Sequence, residues 1–473
     1  MIFSSTIFLL YFLPVFLLAY HLVGQRYKNY VILLASIYFY SWGAPKFVFV
    51  ILGTTIVDFY IVRNIYLSQN ESRKKALLIL SIIINLGLLA YFKYANFFVE
   101  NVNDLLGTFG MTKLAWTSVA LPIGISFYTF QTLTYSVDVY RKVHAPLQKV
   151  TDYLLYIMSF PQMIAGPIVR FNSIADQIVS RKEVVDDKLI GFYRFCIGLA
   201  KKVLIANVMA EQADLIFNND LANLSTPNAW LGVLAYTFQI YFDFSGYSDM
   251  AIGLGRMIGF KFPENFNSPY VSQSISEFWR RWHITLGSFM RDYLYIPLGG
   301  NRVDSKYRLF FNLWIVFLLS GLWHGASWNY VIWGGFHGLF LILDRLFLQK
   351  VLRKVGRIVA TLFTFLVVMI GWVIFRLENL SEVKIYLTKM FWYSTETELK
   401  NIPSFLIIAV LAVLFSFMAS FKKGAQLEAY IFERDHYRLY EYFIFLMLSI
   451  ILFILSISAI VSSDFNPFIY FRF

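Results

Sequence analysis

Long apolar runs separated by short polar joints recur along the whole chain, as at 2–22, 31–52, 76–92 and 443–461. A helix needs roughly 20 apolar residues to cross a hydrocarbon core of about 30 Å, so each run is a candidate span. Counting the runs and their breaks predicts an all-α polytopic membrane protein of about 11–13 spanning or re-entrant helices. The first run carries Pro14, with no basic segment before it and no small-x-small cleavage site after it. It therefore reads as a span and not as a signal peptide. Two stretches, 96–110 and 380–392, are amphipathic and are expected to lie in the interface plane, where both faces are satisfied. No repeat, low-complexity tract or linker divides the sequence, which reads as one membrane domain over 1–473. Its middle, 115–345, stays apolar but is dense in Gly, Pro, aromatic and ionisable residues.

Composition agrees. Of 473 residues, 58% are hydrophobic and 15% charged, with a mean hydropathy of +0.59. A soluble domain is typically about 45–50% apolar and about 25% charged. The formal charge of +12, 41 basic minus 29 acidic residues, would suggest nucleic acid in a soluble protein. Here the basic residues gather between apolar runs, at Arg26 and Lys28, Arg73-Lys74-Lys75, Lys201-Lys202, Arg353-Lys354 and Lys422-Lys423. The positive-inside rule produces that pattern, so membrane lipid and no nucleic acid is the expected surrounding. With these clusters in the cytoplasm, the N-terminus and a C-terminal tail over 462–473 are extracytoplasmic. The single cysteine, Cys196, excludes an internal disulfide and reads as an inert buried thiol.

Chemistry is concentrated in the middle region. Ionisable groups at membrane depth cost about 2.5–3.5 kcal/mol each on insertion scales, so they tend to face the bundle interior and serve a purpose. Gly and Pro loosen helices there, which is tolerated where freed backbone meets protein or a water-filled cavity. Four stretches carry these features: 121–128 and 160–167 with Gly and Pro, 277–283 with charge, and 241–249 with Gly246 beside Asp243 and Asp249. Walker, HExxH and GxSxG motifs are absent. The run Gly253-Leu254-Gly255 reads as small residues for close helix packing. Three histidines fall in this region: His283 after Glu277-Phe278-Trp279-Arg280-Arg281-Trp282, His324 within Leu322-Trp323-His324-Gly325, and His337. A neutral imidazole can take and return a proton near neutrality. His324 is the candidate base, His283 binds substrate or orients His324, and His337 reads as a helix-packing residue. No spacing matches a metal-ligand set, so no metal is expected.

Several blocks in order resemble the membrane-bound O-acyltransferases. They are Tyr38-Phe39-Tyr40-Ser41-Trp42-Gly43, the segment 241–249, Trp279-Arg280-Arg281-Trp282-His283 and Leu322-Trp323-His324-Gly325-Ala326-Ser327-Trp328-Asn329. The branch they resemble is the bacterial alginate O-acetyltransferase type of polysaccharide acetylation protein. The resemblance implies a multi-pass protein of the bacterial plasma membrane with a central funnel and His324 as catalytic residue. It also implies an acyl group passed from a cytoplasmic thioester donor to a hydroxyl. Acetyl-CoA is then a donor substrate, and no cofactor is expected to stay bound. Asn329 and Ser327 are candidate polar helpers of His324. Glu277, Arg280 and Arg281 either hold the phosphates of the donor or anchor a re-entrant helix, and Asp243 and Asp249 join the candidates for substrate binding. The family further implies an extracytoplasmic partner of the SGNH hydrolase type, with a cell-surface polysaccharide as final acceptor.

The last residues, Asn466-Pro467-Phe468-Ile469-Tyr470-Phe471-Arg472-Phe473, fit a Phe-x-Tyr-x-x-Phe pattern. They serve as an aromatic anchor at the outer interface, or Tyr470 relays the acyl group, as the similar tail of the small subunit in teichoic-acid D-alanylation implies. D-alanyl transfer is the competing activity within the family. A transporter or flippase is the rival outside it; inverted repeats would favour that reading, and none is found.

Overall fold

In lipid, every backbone N–H and C=O must be satisfied within its own segment, so apolar runs fold as helices. The computed structural model describes residues 1–164, 166–393, 399–463 and 465–469, and among them it is built of helices with no strand. Five helices are long and apolar enough to cross a bilayer: Val48–Leu67, Glu71–Thr108, Trp328–Val355, Arg357–Arg376 and Leu439–Ser462. The pair Phe405–Ser420 and Lys422–Phe432, bent by 97°, makes six if it is one span. That is fewer than the apolar runs suggest, because other runs fold as shorter or more polar helices. Lys28–Gly43 has 16 residues, and Thr226–Met257 is long but carries Gln239, Asp243 and Asp249.

The two amphipathic stretches fare differently. The segment 380–392 folds as the helix Leu380–Phe391 and buries Val383, Tyr386 and Met390 on one face, as helical periodicity requires. The segment 96–110 is no separate interfacial helix. It continues the Glu71–Thr108 span through a π-helical turn at Ala90–Tyr94.

The chain divides into two compact units, Met1–Glu183 with Ile258–Phe262, and Val184–Met257 with Pro263–Phe473. The middle region 115–345 contributes to both. In the first unit, α1 (Val48–Leu67), α2 (Glu71–Leu89), α3 (Ile125–Tyr140) and α4 (Val150–Met158) meet around one carboxylate. Asp58 of α1 is buried and accepts from Ser81 (2.5 Å) and Asn85 (3.3 Å) of α2, Ser136 of α3 (3.3 Å) and Tyr153 of α4 (2.8 Å). A buried charge is tolerated only when hydrogen-bonded, so each of these donors ties its helix to α1.

In the second unit, α5 (Val185–Ala200) and α6 (Thr226–Met257) cross at two pairs of glycines. A Cβ on Gly198 would lie 2.5 Å from the Gly246 carbonyl oxygen, and one on Gly191 would lie 2.6 Å from that of Gly253. The helices therefore run antiparallel with their backbones in contact, which only small residues permit. Close packing, expected of Gly253 from the sequence, is what this glycine does. Cys196 lies buried on α5.

Candidate active site

The glycine crossing decides which charges meet. Arg194 lies four residues before Gly198, and Lys201 and Lys202 three and four after it; Asp243 and Asp249 flank Gly246 by three. Such offsets share a helix face, so the contact sets cations against carboxylates. Arg194 pairs with Asp249 at 2.9 Å and Glu264 at 2.5 Å, Lys201 with Asp249 at 2.6 Å, and Lys202 with Asp243 at 2.8 Å. Both aspartates, Arg194 and Lys202 are buried. The basic cluster Lys201-Lys202, read from the sequence as cytoplasmic, thus supplies the counter-ions of two buried carboxylates.

His283 stands between two short helices, α7 (Ile275–Arg281) and α8 (Ile284–Phe289), and is buried. Its backbone is left-handed, with φ of 46°, a conformation that costs a non-glycine residue of order 1–3 kcal/mol. Two main-chain bonds hold it there: Ile284 N–H to the Asn265 carbonyl and Asn267 N–H to the Arg281 carbonyl, each 2.9 Å. The Asn265 side chain then fixes the imidazole. Its Oδ1 lies 3.0 Å from His283 Nδ1 and accepts from the Thr285 backbone N–H (3.3 Å) and hydroxyl (2.8 Å). A backbone N–H can only donate, so the Asn265 atom is the oxygen and His283 Nδ1 carries the proton. In the neutral ring Nε2 therefore bears the lone pair. That atom is buried without a hydrogen-bond partner among the described residues.

Its neighbours Asn265 and Ile284 line one cavity, and the histidine itself lines a second. One, of about 330 Å³, is lined by Arg194, Lys201, Asp249, Glu264 and Asn265 among others. The second, of about 390 Å³, is lined by His283, Trp279, Arg280, Arg291 and Ser320 among others. Ile284 lines both. The Trp279 indole Nε1 is likewise buried without a hydrogen-bond partner among the described residues. His283 and Trp279 both line the second cavity, and each keeps one buried polar atom, an acceptor on His283 and a donor on Trp279, with capacity to spare.

His324 ends α9 (Lys306–His324) and is buried, one indole away from His283. Ring centroids are 6.1 Å apart for His283 and Trp323, and 4.9 Å for Trp323 and His324. Trp333, on α10 (Trp328–Leu343), meets His324 edge to face at 5.1 Å, and Phe375 packs at 5.4 Å. His324 lines neither of the two cavities. His337 of α10 is enclosed by Trp279 and Trp333, each at 5.1 Å. Gly371, on α11 (Arg357–Arg376), makes room for it: a Cβ there would lie 2.7 Å from His337 Nε2.

The other candidates are dispersed. Arg281 pairs with Glu277 at 2.9 Å, and Glu277 also accepts from the Gln273 N–H at 3.0 Å. Arg280 is exposed on the second cavity. Asn329 donates to the carbonyls of Ile374 and Phe375 at 3.3 Å each, tying α10 to the end of α11. Ser327 is the residue preceding α10 and makes no capping bond. Tyr470 lies outside the described residues.

Sequence reasoning missed Arg194, Lys202, Glu264 and Asn265. For the first two a signal existed. Two aspartates in an apolar helix demand partners, and the adjacent basic residues follow a glycine that can pack against that helix. For Asn265 there was none, since its bond to His283 depends on a loop conformation.

Residues 73–378 match the membrane-bound O-acyltransferase family. The chain is 48% identical over 396 residues to a protein named probable alginate O-acetylase from Pseudomonas aeruginosa, covering 84% of this chain and 76% of that one. It is 38% identical over 421 residues to the peptidoglycan O-acetyltransferase of Helicobacter pylori, covering 80% and 78%. To the teichoic acid D-alanyltransferase of Bacillus subtilis it is 32% identical over 240 residues, covering 46% and 58%. A multi-pass membrane protein with these matches belongs to the membrane-bound O-acyltransferase family.

Proposed function

We propose that this chain moves an acetyl group from a cytoplasmic thioester donor, acetyl-CoA, across the membrane for O-acetylation of a cell-surface polysaccharide. Supporting the acetyl group and the acceptor class are the relatives named for alginate and peptidoglycan O-acetylation, each aligned over most of its own length. D-alanyl transfer rests on alignments to less than half of this chain.

The observation that carries the reading is the 390 Å³ cavity lined by His283 and Trp279, whose buried Nε2 and indole N–H have no hydrogen-bond partner among the described residues. Acyl transfer needs a base for the hydroxyl proton and a donor for the developing oxyanion. As the acceptor oxygen bonds to the acyl carbon, an imidazole takes its proton; the C–S bond breaks and the thiolate leaves to be protonated. His324, one indole away from the cavity's His283, is this base and Trp279 meets the oxyanion; His283, whose Nε2 can only accept, orients His324 and leaves the single hydroxyl proton to it. Arg280 and Arg291, beside the same cavity, suit the phosphates of the donor. A second assignment, with His283 as base, is favoured by its fixed tautomer and its place on the cavity. The variants His324→Ala and His283→Ala separate the two. The loss of a general base costs about 10²–10⁴-fold, and the larger loss identifies it. A folded His324→Ala protein that keeps a third or more of the activity removes His324 from that role.

Tyr470 completes the reading as an acyl relay to the serine of an extracytoplasmic SGNH-type partner. A thiol leaves with a pKa near 8.5 and a phenol with one near 10, so a phenyl ester stays activated toward a serine hydroxyl. Tyr470→Phe keeps the ring and removes the hydroxyl. Loss of polysaccharide acetylation supports the relay, and normal activity refutes it. Acetylation of polysaccharide by this chain alone would count against the partner.

A further inference from the structure

We propose that Lys202, Asn207 and Asp243 form a clamp for the main chain of the C-terminal segment, and through it act as positioning residues for acyl transfer. The segment 465–469 is drawn into the second unit, where Phe468 and Ile469 are 4% and 3% exposed. Its main chain is held at alternate residues. The Asn207 amide donates to the Phe465 carbonyl at 3.5 Å, the Lys202 ammonium donates to the Pro467 carbonyl, and the Ile469 N–H donates to Asp243 Oδ2 at 2.8 Å. Asn207 closes the clamp sideways, accepting from Lys202 at 2.8 Å and donating to the Asn466 side chain at 3.3 Å. The Phe468 ring stacks on Tyr247, with centroids 4.6 Å apart and planes 27° from parallel.

Each side of this arrangement needs the other. A buried ion pair overcomes its desolvation only when further hydrogen bonds meet its remaining capacity. Here the chain's own terminal segment supplies one to each partner. The buried Ile469 N–H, in turn, has to find a partner away from water, and the half-buried Pro467 carbonyl finds one in Lys202. Pro467 has no N–H of its own, so its carbonyl alone has to be met. The ligand of the clamp is thus a peptide main chain, set in register by one aromatic ring. The clamp ends one residue before Tyr470, so its part in transfer rests on the relay reading, while the clamp itself does not.

Thiol labelling tests it in the full-length protein. In an Ile469→Cys background the new thiol is shielded and reacts slowly with a maleimide, and the native Cys196 is buried. Adding Asn207→Ala is expected to speed labelling about ten-fold or more, the factor that losing hydrogen bonds of this kind implies for a local opening. Asp243→Asn is expected to do at least as much. Asn207 is half-buried and its loss leaves the ion pair in place, so this variant stays folded where Asp243→Asn fails to. Unchanged labelling in folded Asn207→Ala protein overturns the clamp, whatever Tyr470→Phe does. Faster labelling together with reduced polysaccharide acetylation supports clamp and positioning together. Faster labelling with full activity overturns the positioning role, and a fully active Tyr470→Phe protein overturns the relay alone.

Discussion

Asn265→Ala tests the chemistry assigned to His283. Asn265 is 1% exposed, and its side chain serves His283 Nδ1, the Thr285 backbone N–H, the Thr285 hydroxyl and Ser248 Oγ, the last at 3.0 Å. Two of these groups are obligate donors in the present tautomer, the imidazole N–H and the backbone N–H. Left unsatisfied in a buried site, they cost about 1–3 kcal/mol each, or about 2–6 kcal/mol of stability. The loop itself should survive, because the Ile284 N–H bonds to the Asn265 carbonyl, which alanine keeps. The effect on rate is separate. Without the amide oxygen, nothing holds the proton on Nδ1, and the ring is free to reorient. A displacement of about 1 Å at a catalytic group can cost about 10²-fold, so a ten- to hundred-fold loss of acetyl transfer is expected. Thr285→Val removes one hydroxyl from the same oxygen but spares the imidazole bond. It should cost about 1 kcal/mol and leave most of the activity. The assay is acetyl transferred to polysaccharide in membranes, normalised to folded protein, with melting followed in detergent. If Asn265→Ala is as active as Thr285→Val, the tautomer argument is wrong.

Trp279→Phe keeps an aromatic side chain, smaller than the indole, and removes the N–H of a residue that lines the His283 cavity; a loss of about 10²–10³-fold in turnover is expected if that group meets the oxyanion, and unchanged turnover excludes it. Gly198→Ala gains about 1 kcal/mol of helix propensity but forces a Cβ to within 2.5 Å of the Gly246 carbonyl, so overpacking of about 1–3 kcal/mol wins and the melting temperature falls. Gly53→Ala on α1, where a Cβ meets nothing within 4 Å, should melt at or above the wild-type temperature, and equal destabilisation of the two would refute the packing account. Tyr153→Phe removes one bond to the buried Asp58 and should cost about 1.5–3 kcal/mol in a melting experiment, a rise in stability being the contrary result.

Much of this protein is written in local sequence. Membrane class and helical character follow from the apolar runs, because lipid leaves the backbone no other way to satisfy itself. The helix Leu380–Phe391 follows from periodicity, with Val383, Tyr386 and Met390 at the buried spacing. The middle region stands out as the site because charge inside an apolar run needs a reason, and its histidine and tryptophan blocks carry the family. What the sequence could not assign is partnership. Lys202 and Asp243 are far apart along the chain, and their pairing exists because Gly198 and Gly246 let two backbones touch. The number of spans also depends on tertiary structure, since an apolar run becomes a span or a shorter packed helix according to what its polar residues meet. The orientation of His283 rests on Asn265, eighteen residues away, through a loop that no periodicity announces. Hydrophobic pattern is a property of neighbours on one helix, whereas an ion pair, a fixed tautomer or a clamped chain end is a property of two segments brought together. Only folding decides those.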